Sequence, residues 1–252
     1  MNEFFHKTSW LSHLSVITIL FGWGFASHAM GPALVPAPAE TLEALWKLMQ
    51  TPEFYQHLSI TLVRASLALA LAVILALVTG IAAGLSRGAM AFMTPLMASL
   101  QSTPPILWIT LLMVWAGTGG TVPLAVVTVT LFPPIFSVVA QSTAHLPKAY
   151  FDTCRVHGIP FHAVLMRVIL PGIFPGFLGA FSFALGTCWK TAAVAEFLGS
   201  SSGIGSQIYW SYRMLEMETL FAWGLTLVSL GLALEFGLIR PLKERAKQSH
   251  GG

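Results

Sequence analysis

A chain of 252 residues in which 55% of the side chains are hydrophobic, 9% are charged and the mean hydropathy is +0.74 has more apolar surface than one soluble core can hide. Its long uncharged runs suit spanning helices of about 20 residues better than the alternating strands of a membrane barrel, so the fold class is all-α, a polytopic helical bundle in a membrane. The formal charge of +3 is small and follows membrane topology, which gives no reason to invoke nucleic acid.

Six spans are predicted, at 14–29, 58–85, 91–116, 122–140, 163–187 and 220–239. The first is expected to be retained, because the apolar stretch after Lys7 contains His13 and His28 and shows no clear Ala-x-Ala cleavage site. Between the first two spans, Pro32, Pro36, Pro38 and Pro52 frame a short helix over 39–50. The third span carries Gln101, Ser102 and Thr103 ahead of Pro104 and Pro105, and two prolines there should kink or interrupt it. The three polar side chains either offer hydrogen bonds to a small solute or satisfy the carbonyls that the prolines free. In the fourth span, Phe132-Pro133-Pro134 is expected to kink the helix in the same way, so both spans line an internal path or pack around one. The whole of 1–252 reads as a single membrane domain with its core at 58–240.

Lys and Arg set the orientation. With both termini inside, the inner segments hold Lys7, Arg87, Lys148, Arg155, Arg167, Arg240, Lys243, Arg245 and Lys247, and the outer ones only Lys47, Arg64, Lys190 and Arg213. Segment 147–158 is then cytoplasmic. It reads as a helix of roughly three turns, with Pro147 suited to the first turn and Gly158, before Ile159-Pro160, to the stop. Lys148, Asp152 and Arg155 share one face, while Tyr150, Phe151 and Cys154 gather on another. Such a helix is either an amphipathic connector on the membrane surface or a docking element.

No G-x-x-x-x-G-K-[ST] loop, nucleophile elbow or His-Glu-x-x-His pair occurs, so the chain is not expected to hydrolyse ATP or act as an enzyme. Cys154 and Cys188 fall on opposite sides of the bilayer, which argues against a disulfide, and no metal-ligand cluster is visible.

Asp152-Thr153-Cys154, three residues, Gly158, nine residues, then Val168-Ile169-Leu170-Pro171 resembles the EAA loop of bacterial ABC importer permeases, whose pattern is Glu-Ala-Ala, three residues, Gly, nine residues, Ile, one residue, Leu-Pro. Further similarity runs through Leu34-Val35-Pro36-Ala37-Pro38, Thr61-Leu62-Val63-Arg64, Gln101 to Pro105, Trp189 to Gly199 and Ser202-Gly203-Ile204-Gly205, and resembles the nitrate, sulfonate and taurine branch, which also contains pyrimidine-precursor transporters. Asp-Thr-Cys in place of Glu-Ala-Ala and Val168 in place of Ile are departures; Asp keeps the charge on a shorter arm, and Thr and Cys are bulkier than Ala.

The resemblance implies an inner-membrane permease that pairs with a second permease copy, two ATP-binding subunits and a periplasmic substrate-binding protein. This chain then binds no cofactor, and ATP and Mg sit on the partner ATPase. Tyr150, Phe151, Asp152, Thr153, Cys154, Arg155, Gly158 and Pro171 become the ATPase-coupling residues, with Gly158 giving the tight exit and Pro171 setting the angle of the fifth span. Candidate path residues are Gln101, Ser102, Thr103, Trp189, Lys190 and Glu196. Lys190 and Glu196 point about 120° apart on a straight helix, so they make a poor mutual ion pair. Either Lys190 attracts an anion at the outer mouth while Glu196 orders the turn before 199–205, or both reach for the outer interface. Arg64 is expected to be an interfacial anchor. A small anion is the expected solute, with a pyrimidine or vitamin precursor as the alternative; the competing function is a stand-alone secondary transporter or channel.

Overall fold

The computed structural model describes residues 2–241, with side chains from Leu14 onward. The charges of Lys7, Lys243, Arg245 and Lys247, invoked for orientation, lie outside the described side chains, as does His13. The described chain is helical: α1 (Asn2–Met30), α2 (Pro38–Met49), α3 (Pro52–Leu85), α4 (Arg87–Ser102), α5 (Pro105–Ala116), α6 (Thr121–Ala144), α7 (Lys148–Val156), α8 (Phe161–Val164), α9 (Leu170–Gly199), α10 (Ile204–Met214) and α11 (Met217–Leu234). A π-turn, Leu165–Ile169, joins α8 to α9, and a second, Glu235–Ile239, extends α11.

Four helices are each long and apolar enough to cross a membrane: Pro52–Leu85, Thr121–Ala144, Phe161–Gly199 and Met217–Ile239. The predicted third span is the pair α4 and α5, bent by 92° at Thr103-Pro104. The predicted first span is a shorter apolar helix over Leu14–Met30. Its outer surface is bare, and Trp23 fastens it: the indole Nε1 donates to the Pro36 carbonyl at 3.0 Å and the ring stacks on Phe221 at 5.9 Å.

The core is built on α6, which packs against α3, α4, α5 and α9. Val122, Val126, Val127, Leu131, Ile135, Phe136 and Val139 of α6 are buried. Against it α3 presents a stripe of small residues, Ala65, Ala68, Ala72, Ala76, Gly80 and Ala83, all buried and spaced at three or four positions, which lets two backbones close up without a lipid-solvent driving force. The approach is tight: a Cβ added at Gly80 would lie 2.8 Å from Val139 Cγ1, and one at Gly84 2.5 Å from Thr143 Cβ.

Two expectations are corrected. Helix α6 continues through Pro133 and Pro134 without the interruption seen at Pro104-Pro105, and it is packed on α3, α4, α5 and α9. The fifth span reaches Gly199, so Trp189, Lys190 and Glu196 all lie within it. After it comes α10, an amphipathic helix that hydropathy alone did not flag.

Candidate functional site

Two regions concentrate polar chemistry. The first is α7, a nine-residue helix and so slightly shorter than the predicted three turns. Pro147 stands just before it as the N-cap with φ −59°, and the Tyr150 amide donates to the Pro147 carbonyl at 3.1 Å. At the far end Gly158 adopts φ +62°, which a side chain would resist, and the Ile159 amide closes the helix onto the Cys154 carbonyl at 2.9 Å.

No residue of α7 is buried. Phe151 and Cys154 are half-buried and pack with Leu146 against the main core, so one narrow seam holds the helix to the bundle. Lys148, Asp152, Thr153, Arg155 and Val156 face outward. Tyr150 departs from the predicted apolar face: it is 55% exposed and joins the outward side. Pro171 sits in the first turn of α9, after the π-turn, and the rod Phe161–Gly199 passes through it without a break. The change of direction after α7 therefore falls at Gly158-Ile159-Pro160.

The second region ties α3, α9 and α10 together around Glu196, which is fully buried. Its Oε2 accepts from Thr61 Oγ1 at 2.7 Å and from the Gly205 amide at 3.2 Å; its Oε1 accepts from Arg64 Nη1 at 3.0 Å. Thr61 Oγ1 in turn accepts from the Ile204 amide at 2.8 Å. Arg64 also donates from Nη1 to the Ser202 carbonyl at 2.7 Å and from Nη2 to Ser202 Oγ at 2.8 Å. His57 Nδ1 accepts from the Gly203 amide at 3.0 Å. A Cβ at Gly203 would strike the Glu196 carboxylate, and one at Gly205 the Ala193 carbonyl, so Ser202-Gly203-Ile204-Gly205 wraps the carboxylate because its glycines leave room.

Arg64 is thus a structural clamp, not the plain interfacial anchor that its position suggested. Sequence reasoning also passed over His57 and Thr61. The available signal was Thr61-x-x-Arg64, two polar side chains one helical turn apart in an otherwise apolar run.

The six predicted path residues are not brought together. Ser102 and Thr103 both donate to the Ser99 carbonyl, at 3.0 and 2.8 Å, and finish α4. Gln101 Nε2 reaches Ser137 Oγ at 3.4 Å across a cleft of about 190 Å³ between α4 and α6. Trp189 is buried against Gly231, Lys190 is exposed beside it, and Glu196 belongs to the knot. Among the described residues no cluster of three or more His, Cys, Asp or Glu could hold a metal.

A polytopic helical bundle with a thinly attached connecting helix between two of its central spans has the form of a membrane permease. The chain belongs to the family of binding-protein-dependent transport system inner membrane components, whose pattern matches residues 72–240. It is 30% identical over 198 residues to the putative aliphatic sulfonates transport permease protein SsuC of Escherichia coli (strain K12), covering 78% of this chain and 74% of that one. It is 27% identical over 235 residues to the taurine transport system permease protein TauC of the same organism, covering 91% and 85%. In fold it is similar to a chain of a bacterial ABC transporter involved in import of the acidic polysaccharide alginate, with a TM-score of 0.66, 12% identity and 98% of each chain covered. An inward-facing MetNI methionine ABC transporter chain aligns with a TM-score of 0.55 and 18% identity, over 82% of this chain and 96% of that one.

Proposed function

We propose that the chain is the pathway-forming subunit of an ATP-driven importer. It works beside a second permease copy, seats an ATPase subunit on α7, and takes a small anion of the sulfonate, taurine or nitrate type from a periplasmic binding protein. Both termini and α7 are cytoplasmic in this reading, and ATP and Mg belong to the ATPase subunit. The observation that carries it is α7 itself. A helix with no buried residue, held by Phe151 and Cys154 and presenting Tyr150, Asp152, Thr153, Arg155 and Val156 outward, has the form of a surface waiting for a partner groove.

The connections of α7 suit it to pass on a displacement. Upstream, the Leu146 amide bonds the Thr143 carbonyl at 3.2 Å and Pro147 links directly to α6; downstream, Gly158-Ile159-Pro160 leads into the rod that ends at Gly199. Moving α7 therefore acts on two central spans at once, which is what converting closure of an ATPase dimer into a change of access demands. The names of the taurine and aliphatic sulfonate relatives support the class of solute.

The test is affinity purification of the tagged chain from native membranes, comparing wild type with Gly158→Pro. A P-loop ATPase that accompanies the wild type and is lost from the variant is the expected result. If none accompanies the wild type under conditions that preserve other complexes, a stand-alone secondary transporter or channel replaces this reading.

A further inference from the structure

Helix α2 has three faces where a helix on a soluble core has two. Pro38 opens it, and the Ala37 amide donates to the Glu40 carboxylate at 2.7 Å, which fixes its start. One face is buried: Thr41 is fully enclosed, and Leu45 and Leu48 pack on Phe54, Ile204 and Trp223. A second is charged: Glu43 and Lys47 pair at 2.7 Å, with side chains 67% and 71% exposed. The third is Leu42, Trp46 and Met49, spaced at i, i+4 and i+7 and left 57%, 65% and 40% exposed. At about 100° per residue the three faces stand roughly 100–150° apart around the helix axis, so each meets a different medium.

The place of α2 in the fold says what the third medium is. The helix packs on α11 and α3, and only Gln50 and Thr51 part it from the spanning rod Pro52–Leu85. Lys47 stands close enough to Glu218, in the first turn of α11, for their charges to interact, so α2 lies beside the start of a second span, Met217–Ile239. The Thr61–Glu196 bond puts this end of α3 beside the Gly199 end of α9, whereas α7 leads into the other end. Helix α2 is thus held at one boundary of the membrane, the one opposite α7.

A helix fixed there, with charges on one side and an unbroken apolar stripe on another, touches water and lipid at once. A surface that a soluble protein visits and leaves has polar groups mixed among apolar ones, in about the proportion of ordinary surface. Leu42, Trp46 and Met49 carry one strong hydrogen-bonding group among them, the indole N–H, and tryptophan favours the level where its ring meets hydrocarbon and its N–H meets headgroups.

We propose that this outward face of α2 is a lipid-binding surface. Leu42, Trp46 and Met49 are seated among the phospholipid acyl chains just below the headgroups, and the Glu43–Lys47 pair stays in water. The assignment needs the chain to span a membrane and does not need the importer reading.

The experiment measures collisions of a nitroxide spin label with molecular oxygen, which concentrates in lipid, and with a water-soluble nickel chelate. Labels are introduced singly through Leu42→Cys, Trp46→Cys and Glu43→Cys in a background of Cys154→Ser and Cys188→Ala. The full chain, with whatever subunits accompany it, is held in nanodiscs of phosphatidylethanolamine and phosphatidylglycerol. Labels at 42 and 46 are expected to give an oxygen-to-chelate ratio several-fold above that at 43; Leu42→Cys keeps Trp46 in place, so the result does not hang on losing the indole. Ratios at 42 and 46 equal to that at 43 would mean that the stripe stands in water. Shielding of 42 and 46 from both reagents would mean that a soluble partner or a second copy covers it. Either outcome overturns the proposal. No transport or ATPase readout enters, so failure of the importer reading would leave the result intact.

Discussion

Arg64 and Glu196, 132 residues apart in the chain, meet at 3.0 Å in the interior of the bundle, with the carboxylate fully enclosed and the guanidinium side chain only 16% exposed. Neither charge is left to the membrane: the carboxylate takes donors from Thr61, Arg64 and Gly205, and the guanidinium gives three further bonds to Ser200 and Ser202. The pair is therefore a joint between helices, and its worth lies in what happens when half of it is removed.

Arg64→Ala should destabilise the protein by about 3–5 kcal/mol, because it strands a buried carboxylate. Arg64→Met combined with Glu196→Leu should recover much of that loss, since two apolar side chains leave no charge unpaired. Thermal unfolding of the purified protein in one detergent checks both. Equal losses in the single and double variants would mean that packing, not charge pairing, is the cause.

Gly205→Ala should cost about 1–3 kcal/mol, the scale of overpacking a well-filled site, since the added methyl meets the Ala193 carbonyl and the Glu196 side chain. Gly179→Ala, on the same scale of change but with nothing within 4 Å of the new methyl, should be nearly neutral or slightly stabilising. The difference between their unfolding midpoints is the measurement.

The attachment of α7 predicts a separation of folding from partnership. Asp152→Lys, on the exposed side, should leave the unfolding midpoint within about 0.5 kcal/mol of wild type and abolish recovery of an ATPase. Phe151→Ala should lower the midpoint as well, because its ring packs on the core. Identical behaviour of the two variants in both assays would contradict the division of α7 into an inner seam and an outer surface.

The two cysteines report sidedness. Cys188 is buried and Cys154 half-buried in α7. With Cys188→Ala as background, a membrane-impermeant maleimide should label Cys154 in inverted vesicles and not in right-side-out ones. Labelling from the outer side would reverse the orientation assigned to the bundle.

Much of the architecture was legible because membrane solvent imposes long apolar runs: 58–85 and 220–239 coincide closely with α3 and with α11 plus its π-turn. The break at Thr103-Pro104 was legible too, because two adjacent prolines end a helix that has little around it. Pro133-Pro134 does not interrupt its helix, and there α6 is enclosed by neighbouring helices. At Tyr150 the helical wheel gave the correct helix and the wrong face, since the docking seam is narrower than the apolar arc. The Glu196 knot was legible only in fragments: the reading of Glu196 as ordering the turn before 199–205 agrees with its bond to the Gly205 amide, and Thr61-x-x-Arg64 was a signal, but nothing local joined the two. Its partners lie on α3 and beyond the end of α9, and only the fold brings Thr61, Arg64 and Gly205 to one carboxylate.

The glycine and alanine stripe of α3 has a mechanical consequence. The α3 side of that seam is mostly alanine and glycine, with Val139 and Thr143 of α6 fitted against Gly80 and Gly84, so sliding or opening the pair would give up backbone-close contact. They must travel as one stiff strut. At one end of it hangs α7, and at the other the loop after α5 is pinned where the Gly119 amide meets the Gly199 carbonyl at 2.8 Å. The packed α3–α6 pair therefore links the α7 end of the bundle to the Gly119–Gly199 end, whereas the 92° elbow between α4 and α5 and the lightly held α1 have fewer contacts to restrain them.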